Sequence, residues 1–215
     1  MIKLNEFQNW LENTPSHIWP EIKSSDIVLD HLRTAAVAII LVEVEGRDSV
    51  DYNLIFAQRS DQVPNHPGQV SFPGGTQEEG ENLLETAIRE THEETGVVID
   101  LANPRWELLG RFPKDFVTIS NYLVAPFLFV LRNEPNARQY VPDGREIVEV
   151  FETPLSHLKD PDNLEIQRRE YRGKIYDLYF YKHEQKVIWG ITGMILNQLL
   201  VAMDPFFHNG KEERP

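Results

Sequence analysis

The stretch FPGGTQEEGENLLETAIRETHEETGV, residues 72–97, joins a Pro-Gly-Gly turn to a segment with helical periodicity and clustered carboxylates. On a helix, Glu90, Glu93 and Glu94 fall within about one turn of each other. Like charges at this spacing repel, at a cost of roughly a few tenths of a kcal/mol per pair. The chain as a whole already carries a net charge of −13, so the cluster is either a solvated helix face or a site with a chemical role, and the spacing of the surrounding residues has to decide between the two.

The local signals predict a helix from Asn82 to Thr95 that ends at Gly96. One face of this helix is apolar and includes Leu84, Ala87, Ile88 and Thr91, whereas the three glutamates lie on another face. His92 points away from Glu93 and is expected at the surface. The VVID sequence that follows predicts a return to a strand.

The composition describes a protein with a buried core and an acidic surface. Hydrophobic residues make up 41% of the 215 residues, which suits one large domain. The excess of 34 Asp+Glu over 21 Lys+Arg argues against non-specific nucleic-acid binding, which needs a basic surface. The chain has no cysteine, so disulfides and thiolate chemistry are excluded, and a reducing, cytoplasmic location is expected.

The sequence near each end of the chain predicts a helix that does not span a membrane. MIKLNEFQNWLENTP lacks the charged and apolar regions of a signal peptide, and its periodicity predicts a short amphipathic helix that ends before Pro15. The apolar run 187–203 is interrupted by polar residues and glycines, so it predicts a buried helix rather than a membrane span.

Several β-strands are predicted between these helices. Residues 34–44 and 52–58 indicate a hairpin, and 60–68 indicate a loop. The other predicted strands are 69–72, 105–111, 117–131 (bent near Pro126), 146–151, 165–171 and 175–181, the last two forming a hairpin near Gly173. The mixture of strand hairpins with two or three helices predicts an α/β sandwich around a mixed sheet. We expect a main domain at 31–205, an N-terminal helical extension at 1–30 and a C-terminal tail at 206–215.

The spacing of charged and glycine residues in 75–97 resembles the Nudix box, the signature of the Nudix hydrolases. The matching positions are Gly75, Glu81, Arg89, Glu90, Glu93, Glu94, Gly96 and Val97. Thr91 stands where that family usually has an aliphatic residue. The resemblance implies an α/β/α sandwich and metal-dependent cleavage of a diphosphate that is linked to another group.

Carboxylates at this spacing suit a hard divalent cation, Mg²⁺ or Mn²⁺, which prefers oxygen ligands. We predict that Glu90 and Glu94 hold one ion, that Glu93 holds or shares a second, and that the Gly75 carbonyl adds a ligand. Such ions neutralise a diphosphate and activate a water. The expected catalytic set is therefore Glu90, Glu93, Glu94 and Arg89; the general base is either a box glutamate, with Glu93 a candidate, or a residue of a later loop.

Three further box residues have expected structural roles. Gly74 allows a tight turn beside Gly75, and Gly96 ends the helix. Glu81 is predicted to pair with Arg89 and hold the loop against the helix. An alternative for the arginine is an ordinary helical pair with Glu85, four residues earlier.

The segment VPNHPGQVSFPGG, residues 63–75, resembles the region before the box in the coenzyme A pyrophosphatase group of this family. Pro64 departs from it, because the group typically has an arginine there. The predicted substrate contacts are Arg59, His66, Gln69 and Lys114, with solvated charges as the alternative for the two cations. Of the later carboxylates, Glu146 and Glu149 are candidates for a further ligand or base, against the alternative of a solvated strand edge.

The resemblance implies a small nucleotide-diphosphate substrate, with no nucleic-acid or membrane partner, and a monomer or homodimer. The leading hypothesis is cleavage of coenzyme A, or its derivatives, to 3′,5′-ADP and 4′-phosphopantetheine. The alternatives are hydrolysis of ADP-ribose, a dinucleotide or a nucleoside triphosphate, and a non-catalytic domain that senses a nucleotide. The three intact box glutamates favour an enzyme.

Overall fold

The computed structural model describes residues 2–19, 32–45, 50–118, 120–132, 139–171 and 173–207. Its helices are α1 Leu4–Asn13, α2 Leu83–Thr95, α3 Leu155–Lys159 and α4 Gly190–Met203, with short 3-10 turns at Pro161–Asn163 and Asp204–Phe206. Its strands are β1 His17–Trp19, β2 Arg33–Glu45, β3 Val50–Arg59, β4 Val70–Ser71, β5 Gly74–Thr76, β6 Trp106–Arg111, β7 Lys114–Val117, β8 Tyr122–Leu131, β9 Ile147–Pro154, β10 Leu164–Tyr171, β11 Lys174–His183 and β12 Lys186–Ile188.

A mixed sheet is built around the parallel pair β2 and β8, which runs in register from Arg33↔Tyr122 to Val42↔Leu131. Its continuous strand order is β1-β7-β8-β2-β3-β4. The strands β5, β6 and β9 pair with β2, β8 and β3, respectively. The mixed sheet and the predicted hairpin of β2 with β3 are confirmed.

Helices cover both faces of this sheet, as the predicted sandwich requires. The side chains of β2 alternate between two apolar clusters because successive residues of a strand point to opposite faces. Ala38 and Ile40 pack in the cluster that contains Ala87 of α2. Ile39 packs in the other cluster, together with Phe7 of α1 and residues of α4.

The strands β10, β11 and β12 form a separate antiparallel sheet. The hairpin predicted around Gly173 is present, and Gly173 has the positive φ of +74° that glycine tolerates. The helix predicted for 187–203 starts later than expected. Its first residues belong to β12, which pairs with β11, and α4 begins only at Gly190.

Two strand predictions are corrected by the structure. The single bent strand 117–131 is instead the pair β7 and β8. Pro126, which has no N–H to donate, lies where β8 changes its partner from β7 to β6. The VVID segment is irregular, and its first N–H, that of Val97, bonds the nearby Thr95 hydroxyl.

The N-terminal helix is confirmed and packs into the main core through Leu4, Phe7 and Leu11. Next, β1 pairs in parallel with β7. No helix among the described residues is both long and apolar enough to cross a membrane. The predicted domain boundary near residue 30, and all but the first two residues of the predicted tail 206–215, lie outside the described residues.

Candidate active site

The short strand β5 fixes the Pro-Gly-Gly turn to the centre of the sheet. Gly74 and Gly75 pair with Val37 and Ala36 of β2. Gly74 has a φ of +152°, and a Cβ atom there would lie 2.2 Å from the carbonyl oxygen of Ala36. Only glycine fits this close approach of two backbones, so the turn has a fixed position beside α2.

The helix α2 begins and ends at the signals that the sequence contains. The Asn82 side chain accepts hydrogen bonds from the N–H groups of Leu84 and Glu85, and the Glu85 carboxylate accepts one from the Asn82 N–H. This reciprocal capping box satisfies N–H groups that a helix start leaves free. At the other end Gly96 adopts a left-handed conformation, with a φ of +74°.

Arg89 ties the loop to the helix. Its Nε and Nη2 atoms donate to the two carboxylate oxygens of Glu81, at 3.1 and 2.8 Å, and Nη2 also donates to the Thr76 carbonyl at 3.1 Å. The bond from Arg89 is the largest cause that lowers the pKa of Glu81 to about 2. The predicted Glu81–Arg89 pair is therefore present, while Glu85 serves the helix cap.

Glu94 is a buried carboxyl group next to the turn. It is 7% exposed, and its Oε2 accepts a hydrogen bond of 3.0 Å from the N–H of Gly74. Burial raises its pKa to about 8, against the lowering effect of that hydrogen bond. The charges of Glu90 and Glu146 raise its pKa further. These three acidic groups thus act on one another electrostatically.

Glu90 lies directly against the backbone of Gly75. A Cβ atom on Gly75 would come within 2.5 Å of the Glu90 carboxylate carbon. Burial is the main cause that raises the pKa of Glu90, and the hydrogen bond from Arg89 lowers it. Glu93 is more exposed, and Arg89 Nη1 lies 3.0 Å from Glu90 Oε1 and 3.1 Å from Glu93 Oε2.

The donors suit a hard divalent cation, because all are carboxylate or carbonyl oxygens. A buried carboxyl group with a raised pKa, beside two further carboxylates, is a place where a cation relieves repulsion. Among the described residues, no three acidic or histidine side chains are close enough together to form a ready-made metal cluster. Glu90 and Glu93 contact Arg89, and Glu94 accepts from the Gly74 N–H. These carboxylates would therefore have to move closer together to bind one ion.

The predicted substrate residues before the box form a compact loop around Arg59. The Arg59 N–H donates to the Gln69 carbonyl, and its Nε donates to the Asn65 carbonyl at 3.3 Å. His66 is exposed with a φ of +55°, and its carbonyl accepts from the Gln69 N–H. Arg59, His66 and Gln69 are therefore neighbours.

Lys114 has a different setting. It lies on β7 and donates to Oε1 of Gln198 in α4, at 2.5 Å. Since α4 packs on the face of the sheet opposite α2, this contact links Lys114 to the other side of the fold. Its role in substrate binding stays a prediction.

Of the later carboxylates, Glu146 belongs to this region. Glu146 Oε1 lies 2.5 Å from Arg59 Nη1, and its charge raises the pKa of both Glu90 and Glu94. Glu149 pairs with Lys186 of β12, at 3.0 Å. The sequence marks Glu146 only weakly, through an Asp-Gly turn at Asp143 and Gly144 before a strand, and nothing in its own spacing links it to α2.

Comparisons with known proteins show the family of this chain. The family model for the NUDIX domain matches residues 32–174. Nudix hydrolase 3 of Caenorhabditis elegans is 29% identical in an alignment that covers 93% of this chain and 84% of the relative. An uncharacterized Nudix hydrolase, NudL, of Enterobacter is 32% identical, with 80% of this chain and 83% of the relative covered. NudL of Photorhabdus laumondii is 31% identical in an alignment that covers 68% of this chain and 74% of the relative. With its box intact on β5 and α2, the chain belongs to the Nudix hydrolase family.

Proposed function

We propose that this protein hydrolyses the diphosphate of a nucleotide derivative with the help of Mg²⁺ or Mn²⁺. The observation that carries the proposal is the buried Glu94 carboxyl group, which is held by the Gly74 N–H beside Glu90. Folding buries such a group at a cost unless a partner for its charge is supplied. A divalent cation is the partner that also serves an anionic substrate.

Glu90 and Glu94 would hold the cation, with the Gly75 carbonyl and Glu93 as further ligands. When bound, the cation neutralises the diphosphate and makes a coordinated water a better nucleophile. Arg89 orients the site, because it joins Glu81 and Thr76 of the loop to Glu90 and Glu93 of the helix.

In the proposed reaction, a water oxygen bonds to one phosphorus while the bridging P–O bond breaks. The electron pair of that bond leaves with the second phosphate, and the water proton passes to a carboxylate. Glu93 is our candidate for the acceptor, because its side chain is 56% exposed and accessible to solvent. The hydrogen bond that Glu93 accepts from Arg89 Nη1 sets the orientation of the Glu93 carboxylate.

We further propose coenzyme A, or one of its derivatives, as the substrate, with 3′,5′-ADP and 4′-phosphopantetheine as products. The support is the 63–75 segment and the cluster that its residues form around Arg59. Arg59, the last residue of β3, lies beside His66 and Gln69 of the loop that leads into β4. Guanidinium groups bind phosphate oxygens well.

Pro64 favours the second candidate, another nucleoside diphosphate derivative such as ADP-ribose or a dinucleotide. It is exposed in the loop where the coenzyme A group has an arginine, and proline cannot contact a phosphate through its side chain. The reaction type is the same for both candidates, so only the specificity distinguishes them.

A substrate panel tests these proposals. The values of kcat/KM for coenzyme A, ADP-ribose, a diadenosine polyphosphate and a nucleoside triphosphate are compared in Mg²⁺ and in Mn²⁺. We expect the highest value for coenzyme A, complete loss of turnover with EDTA, and a loss of at least 100-fold in Glu94→Gln. A higher value for ADP-ribose would overturn the coenzyme A assignment, and turnover in EDTA would overturn the metal dependence.

A further inference from the structure

The turn before β9 holds the backbone of Glu146 in one place. Asp143 Oδ1 accepts hydrogen bonds from the N–H groups of Arg145, Glu146 and Ile147, at 3.1, 3.0 and 2.8 Å. Gly144 supplies the positive φ of +72° that this turn requires. On the other side, the Glu146 carbonyl accepts from the Ser60 N–H at 2.7 Å. The position of Glu146 is therefore defined by its backbone, independently of its side chain.

Arg59 is placed beside Glu146 by the same pairing of strands. It is the last residue of β3 and lies opposite Ile147 of β9, after a register shift at Gln58 and Arg59. This shift marks an irregularity that can re-aim a side chain at a strand end. The Arg59 Nη1 atom contacts Glu146 Oε1 at 2.5 Å.

The Arg59–Glu146 pair acts on the box carboxylates from outside the box. The helix α2 contacts β9, the strand that begins directly after Glu146. In agreement, the charge of Glu146 raises the pKa of Glu90 and of Glu94, and the charge of Arg59 lowers the pKa of Glu94. The side chains are 20% and 49% exposed for Arg59 and Glu146. The pair is thus accessible to a ligand at the edge of the proposed metal site.

We propose that Arg59 and Glu146 form an exchange pair: Arg59 leaves Glu146 to bind a phosphate of the substrate, and the released Glu146 carboxylate joins Glu90 and Glu94 in binding the cation. This inference rests on the proposed function. It assigns Arg59 to substrate binding, and it makes Glu146 a metal ligand only when Arg59 has left it.

The exchange is physically favourable because a diphosphate carries more negative charge than one carboxylate. A guanidinium group binds phosphate oxygens through two parallel hydrogen bonds. Glu146 competes for Arg59 as a half-exposed carboxylate with a single negative charge. The bond from the Arg59 N–H to the Gln69 carbonyl and the strand pairing with Ile147 keep its backbone in place. Only the side chain has to change partner, and side-chain changes of this kind are fast.

The same β-strand offers a matched control. Glu149 of β9 pairs with Lys186 at 3.0 Å, and its side chain is 48% exposed, while that of Lys186 is 14% exposed. This second pair has nearly the same exposure as the first. Because neither Glu149 nor Lys186 is among the main influences on the pKa of Glu90 or Glu94, breaking this pair removes a comparable ion pair with a smaller electrostatic effect on the box.

The test is a double-mutant cycle on Mn²⁺ affinity, measured by calorimetry on the full chain without substrate. We expect Arg59→Gln to tighten Mn²⁺ binding about fivefold, because it releases Glu146. In the Glu146→Gln background, only the direct effect of the Arg59 charge on Glu94 remains, so the same substitution is expected to tighten binding less than twofold. The control Lys186→Gln is expected to leave the affinity within twofold of the wild-type value.

Two results would overturn the exchange pair. An equal gain from Arg59→Gln in both backgrounds would show a long-range effect of charge that does not involve Glu146. A gain of the same size in Lys186→Gln would show that the loss of any positively charged side chain in this region tightens Mn²⁺ binding. Thermal unfolding of each variant establishes that it is folded, and Arg59→Lys, which retains the charge, provides a second folded variant that should show less than half of the gain.

The substrate panel separates this inference from the proposed function. The cycle is measured without substrate, so a protein that binds Mn²⁺ but cleaves none of the diphosphates would overturn the proposed function and still give a result for the pair. With an active substrate, we expect Arg59→Gln to raise KM at least tenfold with a smaller change in kcat. An unchanged KM would contradict the role of Arg59 in substrate binding.

Discussion

The guanidinium group of Arg89 bonds both carboxylate oxygens of Glu81 and, through Nη2, the carbonyl of Thr76, so one side chain joins α2 to the loop on two sides. Lysine has a single ammonium group and cannot reproduce this fork. We therefore expect Arg89→Lys to lower kcat/KM on the order of 10- to 100-fold, because small displacements of catalytic groups are costly. Steady-state kinetics measures the loss.

A control for this substitution is Arg168→Lys. Arg168 pairs with Asp177 across the β10–β11 hairpin, at 3.2 Å, and its side chain is 80% exposed. Such surface pairs contribute little to stability, so we expect wild-type kinetics. If Arg89→Lys were as active as Arg168→Lys, the two-point contact with Glu81 would have no role in positioning the site.

Glu94 makes the stability of the metal-free protein depend on pH. Its pKa is raised from 4.5 to about 8 in the folded state, so the unfolded chain loses this proton at a lower pH than the folded protein. The contribution of Glu94 to the free energy of unfolding then falls as the pH rises from about 4.5 to about 8, by about 1.4 kcal/mol for each unit of pKa difference. Urea denaturation in EDTA at several pH values measures this.

Glu94→Gln removes the titrating group and should make the curve flatter over that range. At pH 8 to 9, without cations, the variant should be more stable than the wild type. The exposed Glu93→Gln serves as the control, since it removes a charge from the same helix without removing a buried one. If the wild type and Glu94→Gln had the same pH dependence between pH 5 and 8, the raised pKa of Glu94 would be contradicted.

Cations should stabilise the protein more strongly at high pH. Mg²⁺ or Mn²⁺ binds the ionised carboxylate, so binding has to displace the proton that Glu94 keeps below about pH 8. We expect a larger rise in Tm per millimolar Mn²⁺ at pH 8 than at pH 6, as mass action requires for a ligand of the folded state. Differential scanning fluorimetry gives these shifts; equal shifts at both pH values would argue against Glu94 as a ligand.

The two glycines of the turn should respond differently to alanine. In Gly75→Ala the new methyl group meets the Glu90 side chain at 2.5 Å, which can move, so we expect at least a tenfold loss of turnover with a modest change in Tm. In Gly74→Ala the methyl group meets the Ala36 carbonyl oxygen at 2.2 Å and φ is strained, so we expect a large loss of stability, on the order of 3 kcal/mol. Urea unfolding and activity are compared.

Gly80→Ala is the control for these two variants. Gly80 has a φ of +91°, and no atom of the described residues lies within 4 Å of the place that a methyl group would take there. It therefore shows the cost of backbone strain alone. That cost should be about 1 kcal/mol with little change in turnover. Equal losses of stability in Gly74→Ala and Gly80→Ala would mean that the contact with Ala36 is unimportant.

The elements with strong local signals were predictable from the sequence. The cap at Asn82, the stop at Gly96 and the run of apolar residues in β2 specify their structures within a few positions, because each depends on neighbours in the chain. The box resemblance likewise predicted the pair of Glu81 and Arg89. Such features need no knowledge of the rest of the fold.

The features that the sequence did not reveal depend on distant partners. The break between β7 and β8 follows from the two strands that flank β8, and β12 exists because β11 lies beside it. Glu146 is close to the site only because β9 pairs with β3. A strand pairing that joins residues far apart in the chain leaves no periodic signal in either segment.

The parallel pairing of β2 with β8 also sets the order in which the protein can fold. The strands are separated by the whole of the box and by β3 to β7, so closing this loop is entropically costly and slow. The apolar cluster that contains Ala87 of α2 also contains residues of β8, so the core beneath the box is complete only when residues 122–131 have docked. In a chain that stops before β8, the apolar strand β2 would keep its pairing with β3 but lose its partner along the β8 edge, and such an unpaired edge favours aggregation.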